Sequence, residues 1–263
     1  MRIIKRLLLA GLLFYLPSQV MAWGMLGHRI VGQIADSYLS AKARRQIRAI
    51  LGNESLAMCS NWPDFIKSDT TFRYLDPWHY VNFKDGLTEQ QLHDYLDKDT
   101  LTDAYTKLNF LINELKNKSL DKEKQVFYLR LVVHIVGDVH QPMHTGRPED
   151  LGGNRINVLW FNQPTNLHSV WDNKLVEQQE LSYTEYATAI NFTTRAQRKE
   201  WQSNSIKHWL FESYTISQRL YAEIKEPNQK LGYRYNFDYL DTVNDRLLKG
   251  GVRLAGVLNE IFK

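Results

Sequence analysis

The chain has a single cysteine, Cys59, so it can form no internal disulfide. Proline is also scarce, with 7 residues in 263, and no stretch has the proline-, glycine- or serine-rich composition of a flexible linker. No segment repeats along the chain. These absences exclude a disulfide-rich scaffold, a repeat protein and a string of loosely joined modules, and they favour one large domain.

Long apolar runs are equally scarce, and the one that stands out lies at the start of the chain. Residues 2–6 include three basic side chains, residues 7–16 are apolar, and Val20 and Ala22 place small or medium side chains before a cleavage point. Because this apolar run is too short to span a bilayer comfortably, it predicts a secretory signal peptide, residues 1–22. We expect a mature chain of residues 23–263 that is secreted or periplasmic, with no stable membrane association.

The mature chain would also lack a strong excess of either charge. The whole sequence has a net charge of +4, of which Arg2, Lys5 and Arg6 supply three positive charges. A nucleic-acid ligand would therefore have to be held by a local site rather than by a broad basic surface. Since a secreted domain without disulfides needs another means of stabilisation, bound metal is a candidate.

Helical periodicity is what the rest of the chain does contain. Apolar residues recur three or four positions apart over residues 30–51, 88–116 (with a polar break at 97–102), 121–140, 167–179, 184–196, 201–225 and 236–261. Asp121 is a typical N-cap, and Gly52 a typical helix stop. Only residues 155–161 alternate as a short strand does. The sequence therefore predicts an all-α fold, a single compact helical domain with long loops.

Residues 134–144 carry the most chemical information. His134 and Asp138 lie four residues apart, which places both side chains on one face of a helix. Pro142 ends or kinks that helix, and His144 follows. Imidazole and carboxylate ligands in this arrangement suit zinc. A capped, hydrogen-bonded helix end without metal accounts for this segment equally well, so other parts of the chain have to decide.

Further histidines and aspartates repeat the same chemistry. The additional candidates lie on a helix face, in a stiff turn or near the predicted new N-terminus Trp23, and they are His28, Asp64, His79, His168 and Asp172. These donors exceed the needs of one zinc ion, which takes about four ligands. We therefore expect two or three ions, with Asp138, between two histidines, as a shared carboxylate. His140 would point to the other side of its helix.

Several short motifs stand in the order typical of one enzyme family. They are Trp23 with His28 after the predicted cut, Trp62-Pro63-Asp64, Trp78-His79-Tyr80, residues 134–144, Gly152-Gly153-Asn154 and residues 168–172. In these motifs essentially the whole mature chain resembles the secreted zinc-dependent nucleases specific for single strands, the mung-bean-nuclease type. That family belongs to the phospholipase C/nuclease superfamily.

The resemblance implies a trinuclear zinc cluster in a cleft. The first zinc would be bound by Asp64, His79, His134 and Asp138. The second would be bound by His144, His168 and Asp172. The third would take the free amine and carbonyl of Trp23 together with His28 and the shared Asp138. Signal removal would then create a ligand, because the α-amine loses its proton readily to a metal.

The resemblance also implies the activity. It predicts an endonuclease that cleaves phosphodiester bonds of single-stranded DNA and RNA to 5′-phosphorylated products, through a hydroxide activated by the three zinc ions. The resemblance also predicts 3′-nucleotidase activity, which removes the phosphate from 3′-nucleotides. Asp64 would orient the nucleophile, and Lys67 would neutralise charge that develops on the phosphate. We expect such an enzyme to be a monomer.

Four residues would bind the substrate by the same resemblance. Tyr80 would stack on an unpaired base, which gives single-strand preference with little sequence selectivity. Gly153 and Asn154 would lie in a loop that approaches the nucleotide closely. Asn82 departs from the family, whose better-known members have aspartate there, so the base preference of the family does not carry over.

Two alternative functions remain open at this point. A zinc phospholipase C of the same superfamily also uses an N-terminal tryptophan, but its first histidine lies further along the chain, and it has glutamate in place of Asp172. A non-catalytic secreted protein stabilised by structural zinc is the second alternative. Structural sites are usually closed and cysteine-rich, whereas histidine and aspartate sites leave room for water.

Overall fold

Helices form most of the described chain, which comprises residues 23–117 and 119–263 of this computed structural model. Its first half contains α1 (Met25–Ser37), α2 (Ala41–Leu51), α3 (Leu56–Cys59), α4 (Trp62–Phe65), the 3-10 helices Ile66–Ser68 and Thr70–His79, α5 (Glu89–Asp97), α6 (Ala104–Leu115) and α7 (Lys122–Asp138). The predicted signal peptide, residues 1–22, lies outside the described residues.

The second half adds more helices and a small sheet. It contains the 3-10 helix Pro142–Thr145, β1 (Asn157–Trp160), β2 (Gln163–Asn166), α8 (Leu167–Ser169), a π-helical turn (Val170–Lys174), α9 (Leu175–Glu177), α10 (Tyr183–Ile190), α11 (Arg195–Ser203), α12 (Ile206–Glu223), β3 (Gln229–Leu231) and α13 (Tyr233–Ile261). The prediction of a single, essentially all-α domain is confirmed. Within the described ranges, no helix combines the length and apolarity needed to cross a bilayer.

Three of the predicted helical segments are interrupted, so the prediction of unbroken helices was wrong there. Ser40 begins α2 by accepting a hydrogen bond from the Ala43 N–H, which divides residues 30–51. Thr194 begins α11 within the segment predicted over 184–196, and Ser205 begins α12 within the one predicted over 201–225. In each case a serine or threonine hydroxyl satisfies backbone N–H groups of a new first turn, although apolar residues continue at helical spacing.

The strand predicted over 155–161 is confirmed as β1, the central strand of a three-stranded sheet. β1 pairs with β2 in antiparallel fashion and with β3 in parallel fashion. Neither β2 nor β3 was predicted, because both are short and largely polar. The sheet lies next to α8, since β2 ends at Asn166, whose side chain caps that helix by accepting from the Ser169 N–H.

Helix α7 passes through the core and determines where the site lies. Asp121 caps it as predicted, by accepting a hydrogen bond from the Lys124 N–H at 2.8 Å. Residues 131–138 are all buried, and the helix packs against α1, α6 and α13. The polar side chains near its C-terminal end therefore lie inside the protein, where each requires a partner.

Candidate metal centre

The predicted donors converge at the C-terminal end of α7. Helix α1 contributes one donor, and α4 contributes a second. The 3-10 helices Thr70–His79 and Pro142–Thr145 contribute one each. Helix α7 contributes two, and α8 and the π-helical turn that follows it contribute one each. The set is His28, Asp64, His79, His134, Asp138, His144, His168 and Asp172, and the side chains of all eight are almost entirely buried. The fold therefore brings together every side-chain donor that the sequence analysis proposed.

Asp138 is the carboxylate on which three imidazoles converge. Its Oδ2 lies 3.0 Å from Nδ1 of His79 and 3.2 Å from Nε2 of His134. Its Oδ1 lies 3.3 Å from Nε2 of His28. Both oxygens thus face separate histidines, which is the arrangement that a carboxylate shared between two ions requires.

Asp64 joins this group from the opposite side. Its Oδ1 lies 3.8 Å from Nε2 of His134 and 2.7 Å from Nζ of Lys67. Donor atoms of His28, Asp64 and His134 lie within 4.8 Å of one another, as do those of His79, His134 and Asp138. The two groups overlap at His134, whose Nε2 can serve only one ion, so a ligand shared by two ions here would have to be a carboxylate.

His144, His168 and Asp172 form a further group. Nε2 of His168 lies 3.0 Å from Oδ2 of Asp172, and Nε2 of His144 lies 3.7 Å from Oδ1 of the same carboxylate. Asp172 lies on the π-helical turn, where the helix is locally wider. Its side chain nevertheless meets that of His168, four residues earlier. Such single π turns inside helices are often found at functional sites.

Trp23 lies beside this last group. The N–H of Gly24, the next residue, donates to the backbone carbonyl of Asp172 at 2.8 Å, which holds the Trp23 backbone close to the donors. The indole of Trp23 is fully buried in the core. The α-amine that cleavage after Ala22 would create remains a predicted ligand.

Backbone carbonyls orient three of the histidines. In each, Nδ1 donates to a carbonyl oxygen, so Nε2 directs its lone pair toward the carboxylates. The pairs are His134 with Ser60, His144 with His79 and His168 with Gly152, each at 2.6 Å. Histidines that bind metals usually have such a second partner, because it fixes the tautomer and the ring orientation.

Several buried donor atoms have no hydrogen-bond partner within the described part of the chain. They are both ring nitrogens of His28, Oδ2 of Asp64, Nε2 of His79, Oδ1 of Asp138, Nε2 of His144 and Nε2 of His168. Leaving such atoms unpaired in the interior costs free energy. Metal ions would satisfy them together, and nitrogen and carboxylate oxygen ligands fit zinc.

The charges of the cluster also suit a cation. Burial raises the pKa of the Asp138 carboxyl, but His134 and then His144 hold it well below its usual value. Burial likewise opposes ionisation of Asp64, but His134 and then Lys67 lower its pKa to about 2. Burial and the nearby Lys67 lower the pKa of His79 to about 4. These carboxylates are therefore ionised at neutral pH and the His79 imidazole is neutral, as metal binding requires.

A close approach between α1 and α7 depends on Gly137. A Cβ at this position would lie 2.7 Å from Nδ1 of His28, so any larger residue would displace the imidazole. The His28 ring instead stacks on that of His134, with centroids 3.8 Å apart. The Gly-Asp pair at the end of α7 therefore provides both space for one donor and the shared carboxylate.

A cavity of about 380 Å³ opens beside the donors and is referred to here as the catalytic cavity. It is lined by Lys67, Arg73, Asp76, His79, Tyr80, Asn82, Met143, His144, Leu151, Gly152, Asn154 and His168. Four of the predicted catalytic and substrate-binding residues are thus among the lining residues. Gly153 is not among them, but its neighbours Gly152 and Asn154 are, and the Gly153 N–H donates to Oδ1 of Asp150.

Sequence reasoning missed several residues here. Arg73 and Asp76 line the catalytic cavity from the 3-10 helix Thr70–His79, and no motif had drawn attention to them. Gln141 is fully buried, and its Nε2 donates to Oδ1 of Asp172. The only available signal was its position between the histidines of residues 134–144. His140 points away from the cluster, as predicted, and its Nδ1 donates to the Val136 carbonyl.

Comparison with known proteins gives a consistent result. The sequence model described as S1/P1 Nuclease matches residues 23–263. Endonuclease 3 of Arabidopsis thaliana is 31% identical to the chain, over 94% of this chain and 91% of that protein. Nuclease S1 of Aspergillus oryzae is 31% identical over 62% and 57%, respectively. Nuclease P1 of Penicillium citrinum is 28% identical over 91% and 97%.

Proposed function

Because the chain belongs to the S1/P1 nuclease family, and is thereby a zinc-dependent endonuclease, we propose that it cleaves phosphodiester bonds of single-stranded DNA and RNA. The products would carry 5′-phosphates, and 3′-nucleotides would be dephosphorylated at the same site. The observation that carries this proposal is the set of three histidines whose Nε2 atoms face carboxylates while backbone carbonyls hold Nδ1. Two of these histidines, His144 and His168, line the catalytic cavity, so the donor cluster is open to a ligand on that side.

We assign the donors to three zinc ions. Asp64, His79, His134 and Asp138 would hold the first, His144, His168 and Asp172 the second, and His28, Asp138 and the Trp23 amine and carbonyl the third. When bound, zinc supplies Lewis acidity, which polarises a phosphoryl oxygen and lowers the pKa of water. Asp138 is the residue whose two oxygens would contribute to two sites, since each faces a different imidazole.

Asp64 would orient the attacking water. Its Oδ1 is paired with Lys67, and its buried Oδ2 has no hydrogen-bond partner among the described residues. An ionised carboxylate accepts hydrogen bonds, so this side chain could hold a water molecule in position for attack. Lys67 lines the catalytic cavity, where its positive charge would stabilise negative charge on a nonbridging phosphate oxygen.

Tyr80 accounts for the proposed preference for single strands. Its ring is half-buried and lines the catalytic cavity together with Asn82 and Asn154. A base can stack on this ring only if it is unpaired and turned out of a helix. Asn82 offers both a donor and an acceptor, so it can hydrogen-bond to more than one kind of base edge.

The activity can be tested with the purified mature chain. It would be incubated with denatured DNA, RNA, duplex DNA and phosphatidylcholine, with and without a zinc chelator. We expect chelator-sensitive release of acid-soluble nucleotides from the first two substrates and slower release from the duplex. Release of phosphocholine in place of nucleotides would support the phospholipase alternative. No hydrolysis of any substrate by a zinc-loaded chain would support the non-catalytic one.

The proposed Trp23 ligand requires its own test. We propose that residues 1–22 direct the chain to secretion or to the periplasm and are removed. A chain made with one extra alanine before Trp23 has no α-amine at that residue, so it should retain about one zinc ion fewer and lose most activity. A chain that begins at Trp23 is the control. An unchanged zinc content in the extended chain would refute the role of the amine.

A further inference from the structure

We propose that a second cavity next to the catalytic cavity binds the neighbouring nucleobase of the same substrate strand, so that the enzyme recognises at least two consecutive nucleotides. This inference rests on the proposed nuclease function and adds a subsite to it. The second cavity has a volume of about 440 Å³. Its predominantly apolar wall includes Val81, Phe83, Leu87, Tyr95, Leu101 and Pro148.

The two cavities are continuous at two residues. Tyr80 and Asn82 line both of them, and no other residue is common to the two linings. A strand whose base contacts Tyr80 in the catalytic cavity therefore has its adjacent nucleotide close to the second cavity. Consecutive bases of a single strand are linked by short, flexible sugar-phosphate units, so one base on each side of this shared wall is a natural arrangement.

The shared wall is held rigidly against the metal donors. The N–H of Val81 donates to the carbonyl of His144 at 2.9 Å, and the N–H of Phe83 donates to the carbonyl of Gly146 at 3.0 Å. The segment that separates the two cavities is thus paired with the turn that carries one of the histidines. A base bound in the second cavity would therefore have a fixed position relative to the scissile phosphate.

Two large apolar or aromatic side chains are exposed at this cavity. Leu101 is 60% exposed and Tyr95 is 40% exposed. The Tyr95 ring meets Phe83 edge to face at 5.6 Å, and Phe83 meets Tyr214 in the same way at 5.7 Å. The exposed ring is therefore already held in position before any ligand binds, which reduces the entropy lost on binding.

A cationic side chain at the edge of the cavity suits a nucleotide better than an aliphatic chain. Lys84 lies at this exposed edge, and no described residue forms an ion pair or hydrogen bond with its ammonium group. Asp103 lies in the buried wall, where it already caps α6 by accepting from the Thr106 N–H. A nucleotide could place its phosphate near Lys84 and its ring faces against Tyr95 and Leu101. An acyl chain would leave the ammonium group of Lys84 unused.

The test compares substrates of increasing length. The first is a phosphodiester that carries one thymidine and one nitrophenyl group, and the others are thymidine oligonucleotides of two, three and four residues. We expect KM to fall once the substrate is long enough to place a base in the second cavity. Tyr95→Ala should raise KM for the longest substrate by about fivefold or more, because stacking on an aromatic ring contributes about 1–3 kcal/mol per base. It should leave kcat and the one-thymidine substrate unchanged.

Two further variants separate binding from folding. Leu101→Ala removes exposed apolar surface at the cavity, and Leu181→Ala does the same at a leucine that lines neither cavity. We expect only the first to reduce the advantage of long substrates. Leu101→Met, which keeps an apolar side chain of similar size, should restore it.

Tetranucleotides with a single abasic position locate the interaction within the strand. Removal of one base should raise KM for the wild-type enzyme, and the same removal should have no effect on Tyr95→Ala. Equal KM values for all substrate lengths, or equal losses in Leu101→Ala and Leu181→Ala, would overturn the second subsite while leaving the nuclease function intact. Failure to hydrolyse even the one-thymidine diester and denatured DNA would instead overturn the proposed function itself.

Discussion

Gln141 connects two functional parts of the site through one amide group. Its Nε2 donates to Oδ1 of Asp172, and its Oε1 accepts from the Met143 N–H at 2.5 Å. This leaves Oδ2 of Asp172 facing Nε2 of His168, 3.0 Å away. Gln141 is therefore a positioning residue. Its amide holds Oδ1 of Asp172, so that Oδ2 points toward His168.

Substitution of Gln141 should weaken one of the proposed zinc sites. Gln141→Leu removes the hydrogen bond to Asp172, and partners of metal ligands typically change affinity by about 10- to 100-fold when they are lost. We expect the zinc content after dialysis against a zinc buffer to fall by about one ion per chain. The matched control is Gln202→Leu, which breaks a hydrogen bond to the Val252 carbonyl and involves none of the metal donors. Equal zinc contents in both variants would contradict the role of Gln141.

Asp138 and His140 lie two residues apart and should differ sharply when replaced. Asp138→Asn removes a charge that three imidazoles approach, so we expect the loss of more than one zinc ion per chain. His140→Gln should leave the zinc content unchanged, because this imidazole faces the Val136 carbonyl and Arg253. It should lower the free energy of unfolding by about 1–3 kcal/mol. Zinc content and urea unfolding, measured on both variants, check the contrast.

Individual donors were predictable because the side chains that bind zinc are mostly His, Asp, Glu or Cys, and residues four apart lie on the same face of a helix. Arg73, Asp76 and Gln141 were not predictable in this way. Arginine, aspartate and glutamine are common on protein surfaces, and only the fold reveals that these three lie at the cavity or the cluster. The role of Gly153 stays a prediction, and its neighbour Gly152 lines the cavity.

At the scale of secondary structure, the N-terminus of α6 contains an unusual pair of carboxyl groups. Asp103 caps the helix by accepting from the Thr106 N–H at 2.9 Å. Burial, and then a hydrogen bond with the side chain of Asp99, raises the pKa of Asp103 to about 7. A hydrogen bond between two carboxyl groups requires that one of them be protonated.

This pair should make stability depend on pH. The folded chain holds a proton that the unfolded chain releases near the ordinary pKa of aspartate, 3.8. Between about pH 4 and pH 7 the folded state binds more protons, so this pair makes the free energy of unfolding decrease as the pH rises. Asp99→Asn supplies an amide donor to Asp103 and should remove that decrease. Its free energy of unfolding relative to wild type, measured in urea, should be higher at pH 8 than at pH 5. A difference independent of pH would contradict the shared proton.

Helix boundaries illustrate what local sequence does and does not determine. The start of α7 at Asp121 was predicted because an N-cap stands before a continuous apolar pattern. The breaks before α2, α11 and α12 were not, because their serine and threonine caps lie inside patterns that continue at helical spacing. The strands β2 and β3 owe their existence to pairing with β1, which depends on residues distant in sequence.

At the scale of the whole molecule, the donor cluster connects distant parts of a chain whose single cysteine allows no internal disulfide. The donors extend from His28 in α1 to Asp172 in the π-helical turn, and the single cysteine, Cys59, is buried and unpaired. Ions bound here would stabilise the folded chain because the unfolded chain cannot assemble the site. The all-α class was predictable from periodicity, whereas the convergence of these distant segments followed only from the family resemblance and the fold.

Removal of metal should therefore destabilise the entire domain. We expect a chelator to lower Tm by roughly 10 °C or more, because a chain of this size changes by about 2–4 °C per kcal/mol and several kcal/mol are lost. Addition of zinc should restore Tm, and addition of magnesium should not, since magnesium prefers oxygen ligands. Differential scanning calorimetry of one preparation in all three states provides the measurement. An unchanged Tm after complete removal of zinc would contradict a stabilising role.

The carbonyl partners of the three histidines also have a consequence for mutational robustness. A backbone oxygen is present whichever amino acid occupies the position, so the orientation of His134 is encoded without the side chain of Ser60. We expect Ser60→Ala to keep its zinc content, measured as for the other variants, despite a residue change directly behind the cluster. A directed-evolution library could therefore accept other small side chains at position 60 without loss of metal, whereas large ones would not fit at this buried position.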